Sequence, residues 1–86
     1  MMMIRLREHV AFTETDYGTA LLDEQSGLYW LVNSTGALAL QALLDGGDMD
    51  QAIAVVLDHY LVDRDTVTRD VHNLLARLRE AGLVAA

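Results

Sequence analysis

Histidines and carboxylates are the residues with which this chain could do chemistry, and their spacing argues against it. The 86 residues hold 13 Asp and Glu, 3 His and no Cys. His9, His59 and His72 stand far apart, with no HxxxH pair and no thiolate partner, so no zinc-type ligand spacing occurs. The acidic pairs Asp23-Glu24 and Asp48/Asp50 fall where turns and helix starts are expected and read as cap residues rather than acid/base partners. There is no GxGxxG, no phosphate-binding P-loop and no Gly-x-Ser-x-Gly elbow. No catalytic residue, metal or cofactor is expected. The chain reads as a binding module, not an enzyme.

Charge narrows what it binds. From Glu8 to Val62 there are nine acidic residues and no Lys or Arg; all six basic residues are arginines near the two ends, and the formal charge is −7. A protein that grips a phosphate backbone presents a basic stripe, and most of this one would repel it. No apolar run approaches the roughly 20 residues needed to span a bilayer. The start, MMMIRLREHV, is charged too early for a secretory signal. A cytoplasmic protein with no membrane or nucleic-acid partner is expected. At 52% apolar, the chain suits one globular domain with one modest core.

The organising stretch is Leu21 to Gly36, LLDEQSGLYWLVNSTG: a strand, a turn at Gln25-Ser26-Gly27, a strand at Leu28–Val32, then Asn33 as a helix N-cap. Upstream, Glu8–Glu14 is compatible with a strand that has Val10 and Phe12 on one face. Thr15-Asp16-Tyr17-Gly18 is a turn by composition and Thr19–Asp23 a second strand. Links of about four residues suit hairpins and are too short for crossovers, so the three strands form an antiparallel meander. On the third, Leu28, Trp30 and Val32 share one face while Tyr29 and Leu31 share the other. Both faces are apolar, so alternation does not say which one packs inward.

Three helices follow. The first runs from Ser34 to about Leu44 with Leu40, Leu43 and Leu44 as its stripe, and Asp45-Gly46-Gly47 ends it. The second opens on a capping-box pair, Asp48 and Gln51, and carries Ile53, Val56, Leu57 and Tyr60 at helical spacing. Asp63 caps a third that runs to Ala81, with Gly82 as its stop. On it Val67, Val71, Leu74, Leu75 and Leu78 fill an arc of about 100°. Asp70 and Arg77 lie two turns apart on one shoulder, and Asn73 falls on the far side. The fold class is α+β: a three-stranded antiparallel sheet, then three helices, in one domain over residues 8–86 behind a loosely held arm at 1–7.

The chain resembles the PqqD-like family of small winged-helix-turn-helix domains, the precursor-peptide recognition elements of bacterial peptide-modification pathways. The resemblance rests on Leu22-Asp23, Gly27, Tyr29-Trp30, Asn33, Thr35-Gly36 and Leu43-Leu44-Asp45-Gly46. It continues through Ala52-Ile53, Tyr60, Asp70-Val71, Leu74, Leu78 and Gly82-Leu83-Val84, spanning residues 10 to 84. Val32 departs mildly, since leucine more often precedes the asparagine. The Tyr29-Trp30 pair and the small size look most like the form found with lasso peptides. The resemblance implies a leader-binding adaptor that is not an enzyme. Its implied partners are the leader of a ribosomally made precursor, a leader peptidase of cysteine-protease type and an asparagine-synthetase-like macrolactam synthetase. It also implies that the leader adds an antiparallel strand to the third strand, in a groove shared with the third helix.

The residues supply a reason for each part. An exposed strand edge offers main-chain groups that pair with little regard to sequence, so specificity must come from pockets. The expected peptide-binding set is Leu28, Tyr29, Trp30, Leu31 and Val32 on the strand. On the helix it is Val67, Asp70, Val71, Leu74 and Arg77. Val71 and Leu78 are expected in the core. A monomer or weak dimer is expected. The competing function is a winged-helix nucleic-acid-binding transcription regulator, with the third helix in the major groove. Against it, Arg64, Arg69, Arg77 and Arg79 scatter around the helical wheel and alternate with Asp65, Asp70 and Glu80 instead of forming one basic face.

Overall fold

The computed structural model describes residues 4–16 and 18–85. Met1–Met3 of the expected arm, Tyr17 of the expected turn and Ala86 lie outside the described residues. The elements, in order, are β1 (Arg5–Leu6), β2 (Val10–Thr15), β3 (Gly18–Asp23), β4 (Tyr29–Val32), α1 (Ser34–Leu44), α2 (Met49–His59), α3 (Arg64–Glu80) and β5 (Val84–Ala85). Strands β2, β3 and β4 form an antiparallel meander in that order, and β1 pairs antiparallel with β5 in a separate two-stranded sheet. This is the expected α+β arrangement, three strands followed by three helices, with one addition.

That addition replaces most of the loose arm. Arg5 and Leu6 pair with Ala85 and Val84, the Arg7 amide donates to the Leu83 carbonyl at 3.0 Å, and Ile4 is buried with the core. Apolar side chains at Ile4 and Leu6 give the segment a reason to dock, and two ladder positions hold it there.

Each helix starts on a side chain that accepts otherwise unpaired amides. The Asn33 carbonyl oxygen takes the Gly36 N–H at 2.8 Å, Asp48 and Gln51 form a reciprocal capping box, and Asp63 takes the Thr66 N–H at 3.1 Å. The helices cover one face of the meander. Register pairs Phe12 with Leu21 and Leu21 with Trp30, so these three share the inner face with Val10 and Val32. Leu21, Leu40, Leu43, Ile53, Leu75 and Leu83 are the large side chains at its centre. Val71 and Leu78 are buried there, as the wheel implies. Tyr60 is not part of the α2 stripe: the helix ends at His59, and Tyr60 takes an extended backbone that turns its ring toward solvent.

Candidate functional site

The site begins with the turn that sets β4. The Asp23 carboxylate accepts the Gln25 amide at 2.9 Å and the Ser26 amide at 3.4 Å, and the Asp23 carbonyl accepts the Gly27 amide at 2.8 Å. Gly27 closes the turn at φ 77°, where a Cβ would be strained. Partial desolvation pushes the Asp23 carboxyl upward. The Gln25 and Ser26 amides, the Ser26 hydroxyl and nearby His9 outweigh it and hold the group below its ordinary range.

The turn fixes which main-chain groups β4 leaves open. The Asp23 amide donates to the Leu28 carbonyl at 2.8 Å, and antiparallel bonding alternates along a strand. Leu28, Trp30 and Val32 therefore direct their main-chain groups to β3, while Tyr29 and Leu31 direct theirs to the open side. Because β4 ends the strand order, nothing in the sheet pairs with them. Its sequence, YWLV, has no charge, proline or bulge to discourage a further strand. Burial settles the two apolar faces. Val32 is buried and Trp30 half-buried on the helix side, whereas Tyr29 (62% exposed) and Leu31 (58%) stand on the outer face.

Beside that open edge lies a groove of about 380 Å³. Leu31 and Val32 form its strand side, Asn33, Thr35 and Gly36 its end, and α3 its far wall. Gly36 permits the close approach of α3: a Cβ there would lie 3.2 Å from Leu74 Cδ2 and 2.9 Å from the capping Asn33 oxygen. Val67 and Val71 are buried at the base and Leu74 is half-buried. The exposed Thr66, Asp70, Asn73 and Arg77 line the rim at spacings of four, three and four residues, one stripe of α3. Asp70 and Arg77 form no ion pair among the described residues, and both are exposed along the groove.

Of the ten expected peptide-binding residues, the groove gathers Leu31, Val32, Val67, Asp70, Val71, Leu74 and Arg77. Leu28 sits in the turn, Tyr29 contributes edge main chain but not groove wall, and Trp30 points beneath the sheet. Val62, Thr66 and Asn73 line it unannounced. The polar spacing 66-70-73-77 was the available signal, and it moves Asn73 from the far side of the wheel to the rim. Among the described residues no cluster of three His, Asp or Glu suits a metal ion, and no helix is long and apolar enough to cross a membrane.

A meander whose uncharged β4 edge lies beside a helix-walled groove has the form of a peptide-docking domain, and the comparisons with known proteins agree. The profile of the family described as coenzyme PQQ synthesis protein D (PqqD) matches residues 18–84. The chain belongs to the PqqD family. A solved lasso peptide synthetase B1, complexed with the leader peptide, superposes with a TM-score of 0.88 at 38% identity, covering 99% of this chain and 100% of that one. TbiB1 in complex with the TbiA(beta) leader peptide gives 0.73 at 26% identity, covering 92% and 93%. Among curated proteins none matches the chain significantly.

Proposed function

We propose that this chain is a non-catalytic recognition element of lasso peptide biosynthesis. It binds the leader of a ribosomally made precursor peptide, as its solved relatives do. The leader adds a strand to β4 through the main chain of Tyr29 and Leu31 and lays alternate side chains into the groove against α3. The observation that carries this reading is the undefended edge of β4 beside a groove with an apolar base and a polar rim. Val67, Val71 and Leu74 take apolar leader side chains, while Asp70 and Arg77 read polar or charged ones. The bound leader is then handed in the cytoplasm to a leader peptidase of cysteine-protease type and to an asparagine-synthetase-like macrolactam synthetase.

The test is calorimetric titration with a synthetic leader of about 15–20 residues from the cognate lasso precursor. A dissociation constant between roughly 10 nM and 10 µM is expected for a small interface with few anchors. Amide resonances of residues 28–33 should shift on saturation. No heat and no shift would sink the proposal.

A further inference from the structure

A second recess of about 640 Å³ lies beneath the β2–β3 hairpin. The hairpin contributes Phe12, Glu14 and Thr19, one face of α1 contributes Leu38 and Gln41, the end of α2 contributes His59 and the link after it Tyr60. The recess and the groove share Val32 and Asn33 on one side. On the other they are bordered by two residues of one link, Tyr60 in the recess and Val62 in the groove. The two depressions therefore meet end to end past the last residue of β4. Leu61, the residue between Tyr60 and Val62 in the chain, is fully solvent-exposed, an apolar side chain with nothing packed on it.

Its chemistry differs from that of the groove. No Lys or Arg lines it, and its charged group is the Glu14 carboxylate, one oxygen of which accepts the Thr19 hydroxyl at 3.1 Å. His59 Nδ1 lies 2.9 Å from the Val55 carbonyl, an acceptor, so Nδ1 carries a proton there. With a carboxylate as its anionic group and no Lys or Arg beside it, the recess suits a donor, and a cationic one best.

We propose that this recess is a second subsite for the leader, holding the residues just N-terminal to the segment that pairs with β4 and favouring a basic side chain against Glu14. The assignment of ends follows from the sheet. Both existing pairings are antiparallel, and antiparallel pairing is the more stable per residue. A peptide continuing that order has its N-terminal end beside Val32, where the recess opens. This inference rests on the strand-addition reading above, and the experiment separates the two.

The probes are the synthetic leader of the cognate lasso precursor and the same peptide cut back to the strand-pairing segment. Both are titrated against the parent chain and Glu14→Gln, an exposed and isosteric change. The full leader should bind at least about tenfold more tightly than the shortened one. Glu14→Gln should weaken the full leader about 2- to 5-fold and leave the shortened one unchanged. Amide shifts at Glu14, Gln41 and His59 should follow the full leader only. Equal affinity of the two peptides, with shifts at residues 28–33 intact, overturns the second subsite and leaves leader binding standing. Loss of affinity on trimming the opposite end instead also overturns it. Failure of both peptides to bind overturns both proposals.

Discussion

The two rims of the meander are built differently. On β2 the open main-chain groups belong to a strand bracketed by charge, with Glu8 before it, Glu14 within it and Asp16 after it. On β4 they belong to Tyr29 and Leu31, in a four-residue strand without a charge. Edge strands invite further pairing, and charged side chains are a common guard against it. One rim carries the guard and the other lacks it. The unguarded rim is also the one with a groove beside it.

The strongest way to break that contrast is to blunt β4. Leu31→Pro removes an N–H that points away from β3, so the existing ladder survives, as edge prolines allow. Leader affinity should fall by about 2–3 kcal/mol through a lost and unanswered main-chain bond. The melting temperature should move far less than the affinity. A Leu31→Pro chain that is folded and binds like the parent would remove strand addition from the mechanism.

Leu74→Ala tests the groove rather than the edge. The side chain is half-buried, so binding should lose about 1–2 kcal/mol. Its stability cost should stay below the roughly 2–5 kcal/mol of a fully buried leucine. Melting curves and isotherms on the same samples tell the two losses apart. Asp70→Ala should be smaller still. As an exposed rim carboxylate it should leave stability unchanged and alter leader affinity by about 0–1 kcal/mol, an effect that fades with added salt. If both variants bind leader like the parent, α3 is not the far wall.

The smallest effect concerns the turn that presents β4. The Asp23 carboxyl is held below its ordinary range, so its ionised form contributes stability above its unfolded pKa, and that contribution is lost as pH falls through the folded value. Asp23→Asn should thus be slightly less stable than the parent at neutral pH. The difference should narrow as pH falls below the ordinary Asp range and close only below the lowered folded value, where both side chains are uncharged. Thermal melts from about pH 7 down to about pH 2 would show it, and a gap that stays constant over the whole range would assign the effect to something other than charge.

The parts of this fold readable in the sequence are those fixed by near neighbours. Asn33, Asp48 and Asp63 cap helices because each side chain reaches an amide three residues on, which spacing alone reveals. The apolar arc of α3 was equally plain. The orientation of β4 was not, because LYWLV is apolar on both faces and only packed helices decide which face is buried. The pairing of β1 with β5 joins two-residue strands from opposite ends of the chain, too short to leave a pattern. Val62 reaches the groove from the link before α3, a placement set by tertiary packing that no local spacing encodes, whereas Asn73 continues the polar stripe of Thr66, Asp70 and Arg77. Tyr60 misled for the opposite reason: it sits in register with α2 but follows the helix end.

The pairing of Arg5 with Ala85 also bears on how such a domain can be tethered. Both ends of the described chain leave from one small ladder, so a flexible linker attached at either end starts from nearly the same point. A partner enzyme fused before β1 or after β5 would sample nearly the same volume around the domain, at a similar effective concentration set by linker length. The same proximity would let a short loop close the two ends while the chain is opened elsewhere, at the exposed turn around Asp45–Gly46, with little change in loop-closure entropy.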